Sequence, residues 1–233
     1  MEIVPNQLYA VVTGDIIRSS QLQKKVHSRL NRVLKSNAKL LSDKFKGFIP
    51  YEMDFFRGDS WQVVILNPEM SLRIALLFRL LLHTGMSSVK VDTRMAIGVG
   101  NIDFVPENNV SSGIGEAFTI SGRGLERMPR NQFTSFYINN DENEDIAICL
   151  QIITKLIDAI ATKWTLKQAK AIQGALFGLS QDQISSTWDP PITQPTVANH
   201  LKRASWGAIE NGLDYFERTL KEYQLNRYSR QRL

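Results

Sequence analysis

The chain has a single cysteine, Cys149, among 233 residues. It can form no intrachain disulfide and no thiolate metal cluster. Its three histidines, His27, His83 and His200, do not fall at metal-ligand spacing. A zinc site is therefore not expected, and a magnesium site built from carboxylates stays open. There is no internal repeat and no low-complexity tract. The longest apolar-rich stretch, Leu72 to Leu82, is interrupted by Arg73 and Arg79 and is too short to span a bilayer. The opening MEIVPNQLYAVVTGD lacks the basic segment and long apolar run of a signal peptide. These absences lead to the expectation of a cytoplasmic protein with no membrane partner.

The 43% hydrophobic content is enough for a substantial core, in one large domain or two smaller ones. The net charge is +5, and residues 160 to 233 carry ten Lys or Arg against six Asp or Glu. A basic C-terminal part suits contact with phosphates. A solvated surface would give the same count.

Strand and helix signals alternate over the first 140 residues. Leu8 to Thr13 is a short apolar run read as a strand. Leu22 to Phe45 has helical apolar spacing, with Lys24, Lys25, Arg29, Arg32, Lys35 and Lys39 on its other face. Such a charge run is most simply a solvated face. Tyr51 to Phe56 and Trp61 to Leu66 flank the turn Arg57-Gly58-Asp59-Ser60 as a hairpin. A helix from Glu69 to His83, a strand from Thr93 to Val99, a helix from Ile114 to Met128 and a strand from Phe133 to Ile138 follow. The order β-α-β-β-α-β-α-β begins as a ferredoxin-like pattern. Glu144 to Trp164 reads as a further helix, either a joint between two parts or a dimer helix. The fold class expected is thus α+β: a ferredoxin-like domain over 1–142, a connecting helix over 143–164, and an all-α helix-turn-helix domain over 165–233.

In that last part, Thr165 caps a helix over Leu166 to Phe177, and Ser180 is a good N-cap for a second. Asp189-Pro190-Pro191 breaks the chain before a third helix near Thr193. Val197, Leu201 and Ala204 mark one side of it. The other presents Gln194, Thr196, Asn199, His200, Lys202 and Arg203. Gln and Asn can pair with adenine, Arg reads guanine, and Thr and Lys hold phosphates. The stretch from Ile192 to Ala204 resembles the recognition helices of bacterial helix-turn-helix regulators, which implies double-stranded DNA as partner. The turn through Trp188 is longer than the compact form. The plain alternative is a three-helix bundle with an ordinary polar face.

Two aspartates stand out, Asp15 after the first strand and Asp59 in the hairpin turn. In a ferredoxin-like sheet the first and third strands are neighbours, which brings these carboxylates close. Such a pair suits Mg²⁺ or Mn²⁺ with a polyphosphate. Each alone could equally be a turn residue.

These motifs, in this order, carry a resemblance. Gly14-Asp15-Ile16, Gly58-Asp59, Arg94-Met95-Ala96-Ile97-Gly98-Val99-Gly100 and the Gly115, Thr119, Arg123 spacing resemble the catalytic domain of class III nucleotidyl cyclases. With Leu72-Arg73-Ile74-Ala75-Leu76 they look like the SatD family of bacterial proteins, over about residues 7 to 130. The cyclase resemblance implies Asp15 and Asp59 as metal ligands, Thr119 at a ligand-orienting position and Arg123 stabilising a transferring phosphate. It also implies a nucleoside triphosphate and a homodimer, with Asp15 and Asp59 from one subunit and Arg123 from the other. Phe55 stands where a purine-reading Lys is expected, and Thr119 where Asn is. Three functions remain open: a DNA-binding regulator with a sensing or dimerising cyclase-like domain, a metal-dependent phosphoryl-transfer enzyme with a DNA-binding module, and an interaction scaffold.

Overall fold

The computed structural model describes residues 3–4, 7–89, 91–107, 109–139 and 144–230, without the side chains of 228–230. The junction expected at 142–143 lies outside these residues, as do the chain's first two and last three. The described residues form a mixed α+β fold. The sheet strands are β1 (Tyr9–Ile16), β2 (Asp54–Phe56), β3 (Ser60–Ile65), β4 (Thr93–Gly100) and β5 (Thr134–Ile138). The helices in the sheet's part of the chain are α1 (Lys24–Lys44), α2 (Ser71–Gly85), α3 (Glu116–Arg127) and α4 (Glu144–Ala161). Four more follow: α5 (Leu166–Leu176), α6 (Gln181–Ser186), α7 (Gln194–Arg203) and α8 (Trp206–Arg230).

The strand order is β2-β3-β1-β4-β5. Strand β1 pairs antiparallel with β3 and β4, and β4 pairs parallel with β5. Seven of the eight residues of β1 are buried, as befits a central strand covered on both faces. The alternation of a strand sorts its side chains. Ala10, Val12 and Ile16 enter the larger apolar cluster, with Ile97 of β4 and Leu30 of α1, while Tyr9 and Val11 enter a second cluster with Ala117 and Phe118 of α3. Helix α3 lies close on β4 because Gly98 has no side chain: a Cβ there would stand 2.4 Å from the Ser121 amide nitrogen. A buried Gln62–Thr13–Ser121 hydrogen-bond chain fastens β3, β1 and α3 together.

On the opposite face, α1 buries Leu30, Leu34, Ala38 and Leu41, spaced three or four apart. Helix α2 is buried almost all round, because α1 and β4 contact it from one side and α5 and α8 from others. The larger apolar cluster therefore runs without a break from Leu8 through α2 and α4 to Val197, Leu213 and Leu220. Phe216 of α8 meets Phe136 of β5 edge-on at 4.9 Å. At the α4–α5 turn, the Trp164 indole N–H donates to the Ala204 carbonyl.

Several boundaries differ from expectation. Of the strand expected over Tyr51 to Phe56, only Asp54–Phe56 pairs with β3; Tyr51 and Met53 instead bury their side chains. The helix expected from Glu69 begins as a 3-10 turn at Pro68–Met70 and becomes α-helical at Ser71. Proline favours such an entry because its missing N–H would be unpaired there anyway. The helix expected to reach Trp164 ends at Ala161. Among the described residues, no helix is long and apolar enough to cross a membrane.

Candidate functional site

Helices α5, α6 and α7 form a compact unit. Capping boxes at Thr165 with Gln168 and at Ser180 with Gln183 start α5 and α6, each satisfying otherwise unpaired amides. Gly174 lets Ile184 of α6 sit against α5, where a Cβ would come within 2.5 Å of it. Helix α7 begins after Thr193, with Pro195 in its first turn, and turns Val197 and Leu201 into the core. Its outer face leaves Thr196, Asn199, Lys202 and Arg203 exposed.

The other two residues singled out on this helix have partners. Gln194 donates to the Gln181 side chain. His200 stacks on Trp188, with ring centroids 5.6 Å apart and planes within 2°, and the Lys170 ammonium lies over the same Trp188 ring, 4.8 Å from its centroid. Burial, then Lys167 and Arg203, hold the His200 imidazole below its usual range. The face is thus electropositive, with Lys167, Lys170, Lys202 and Arg203 around it. Sequence reasoning missed Lys167, Lys170 and Trp188. Their signal was the helical spacing of the two lysines on α5, but only packing shows that they border α7.

A second site lies at the end of β1. Asp15 and Asp59 line one cleft of about 480 Å³ together with Arg18, Ser19, Arg94 and Arg130. Cross-strand pairing places Asp15 opposite Ser60 on one side and Arg94 on the other. The Asp59 carbonyl accepts from the Ile16 amide at 2.9 Å, and its carboxylate accepts from the Ser19 hydroxyl at 2.8 Å. Arg94 grips Asp15 with two hydrogen bonds, of 3.2 and 2.6 Å. Arg18 holds a left-handed backbone, φ 58°, at the cleft's edge.

Three guanidinium groups against two carboxylates make this cleft better suited to an anion than to a bare cation. Asp15 is already neutralised by Arg94, and no group of three or more His, Cys, Asp or Glu that could hold a metal exists among the described residues. As arranged, the residues do not fit a divalent ion without Arg94 leaving Asp15. The pairing of Arg94 with Asp15 was missed at the sequence level, although the antiparallel register of the two strands implies it. Thr119 and Arg123 lie elsewhere, along a separate cavity of about 420 Å³ with Glu116, Arg127, Tyr137 and Asn139. Within one chain, the cleft that holds the two aspartates is not the cavity that Arg123 lines.

No family model matches the chain, and no curated protein matches it. Among solved structures, the crystal structure of the guanylyl cyclase Cya2 is similar at 12% identity and a TM-score of 0.38, covering 59% of this chain and 77% of that one. A superposition that loose does not define a shared fold or activity.

Proposed function

We propose that this chain is a cytoplasmic DNA-binding regulator in which α5–α7 form a helix-turn-helix and α7 enters the major groove. The observation that carries the proposal is the outer face of α7. Thr196, Asn199, Lys202 and Arg203 stand exposed there, no acidic residue lies on the helix, and lysines of α5 border it. Donors of this kind on one helix face are what base edges and phosphates require. In this reading the sheet and its helices are a ferredoxin-like, cyclase-like unit, of the kind the SatD-like motifs imply, that senses an anionic ligand such as a nucleotide or holds two copies together. Helix α4 supports the homodimer with Ile148, Ile152 and Leu156, three exposed apolar residues four apart on one stripe. A two-fold pair of α7 helices would read half-sites about one helical turn apart.

The test is selection of a duplex from a random pool, followed by anisotropy titration of wild type and Arg203→Ala. The expected loss is about 1–3 kcal/mol for a base-reading arginine, with relaxed preference at one position. Sequence-independent binding that ignores the substitution would overturn the reading.

A second reading, phosphoryl transfer with Mg²⁺ or Mn²⁺, is favoured by one observation: Asp15 and Asp59 line the same cleft. It requires Arg94 to release Asp15 before an ion can sit there.

A further inference from the structure

Helix α1 carries seven Lys or Arg and a single acid, Asp43. Its net charge of +6 exceeds the +5 of the entire chain. Lys24, Lys25, Arg32, Lys35 and Lys39 are exposed, and none of them makes an ion pair with any described residue. Lys25, Arg32 and Lys39 recur every seven residues, which puts them on one line along the helix, nearly opposite the buried Leu30, Leu34 and Leu41. Like charges so aligned make a positive stripe that a polyanion would complement.

The placement matters as much as the charge. Helices α1 and α2 cover one face of the sheet, and α5 packs on α2. Arg29 of α1 donates to the Gly85 carbonyl and the Ser88 hydroxyl, while Gln173 of α5 donates to Thr84. Helix α1 and the three-helix unit thus meet at the same end of α2. We propose that the outer face of α1 is a second DNA contact, holding the phosphate backbone of the duplex that α7 reads. This rests on the reading of α7 given above. A helix of 21 residues spans about 30 Å, the length of roughly nine base-pair steps. The seven-residue repeat spaces its cations about 10 Å apart. Insertion into a lipid surface fits less well, because most of the apolar side of α1 is already spent in the core, and Leu40 is the one large apolar residue this helix exposes.

The experiment uses the full chain in three forms: wild type, Lys25→Gln/Arg32→Gln/Lys39→Gln, and Arg203→Ala. Each is titrated with a selected and a scrambled duplex from 50 to 300 mM salt. The triple variant is expected to melt like wild type, since its positions are exposed. It should bind both duplexes at least about tenfold more weakly at 0.1 M salt, and its log–log salt slope should be shallower by about 2–3, near 0.9 per lost phosphate contact. Its preference for the selected duplex should persist. If the triple variant binds both duplexes like wild type while Arg203→Ala loses the preference, the α1 contact is refuted and the α7 reading stands. If the triple variant weakens and Arg203→Ala changes nothing, α1 contacts DNA but the α7 reading fails, and with it the proposal that the two share one duplex. If wild type binds no duplex, or its α1 cations matter only for sedimentation with phosphatidylserine vesicles, the proposal fails.

Discussion

Removing Arg79 tests how the sheet is joined to the helices around it. Its side chain is 6% exposed, and its guanidinium makes two hydrogen bonds of 2.9 Å to Asp92 and one of 2.8 Å to Asp158. It also lies over the Phe133 ring, 4.1 Å from the centroid. Asp158, 5% exposed, accepts a further bond from the Phe133 amide. One side chain of α2 thus ties α4 to the residues that lead into β4 and β5 at a single point. Arg79→Met keeps most of the volume and leaves the Asp158 carboxylate buried beside no cation. Taking one partner from a buried pair costs about 3–5 kcal/mol. At about 2–4 °C per kcal/mol for a chain of this size, the melting temperature should fall by roughly 6–20 °C at pH 7.

The pH dependence gives a second handle. Burial already pushes the Asp158 carboxyl up, with Arg79 opposing it. In the variant that opposition is gone, so the folded state holds the proton more tightly than the unfolded chain does. A raised folded value means stability is present at low pH and lost as pH rises above the unfolded value, 3.8. The deficit against wild type should therefore shrink at about pH 4. Adding Asp158→Leu should recover part of the loss at pH 7. Urea unfolding at both pH values measures all three effects. A loss under about 1 kcal/mol at pH 7, or a double variant no better than the single, would refute the argument that the buried charge sets the cost.

Two further outcomes follow from named contacts. Because the folded His200 value is lowered, the folded state binds the proton less well than the unfolded one, so stability should fall on acidification through the window just below pH 6.5; His200→Phe, which keeps the stack on Trp188, should flatten that part of the melting profile, and an unchanged profile would sink the assignment. Arg94→Gln should let Mn²⁺ raise the melting temperature more than it does in wild type, and Asp59→Asn added to it should abolish the shift. Turnover of any nucleoside triphosphate that Asp59→Asn removes would favour the enzyme reading over the sensor.

The strongly periodic elements were legible without a structure. The apolar spacing of Leu30, Leu34 and Leu41, the alternation through Val11 and Val12, the caps Thr165 and Ser180, and the Pro190-Pro191 break all act locally, through period and turn chemistry. They determined the α+β class and the order of its elements. So did the hairpin that carries Asp59, although its first strand is shorter than its apolar run. Pairing across the chain was beyond reach of local pattern. That Asp15 is held by Arg94, 79 residues away, depends on the β1–β4 register. That Arg79 meets Asp158 depends on α4 crossing β5. The charge run on α1 was visible from the start as a solvated face. Only the tertiary structure shows five of its cations without ion-pair partners and packs that helix on α2, against which the unit bearing α7 also packs, because burial and charge compensation are properties of the packed chain and not of any segment of it.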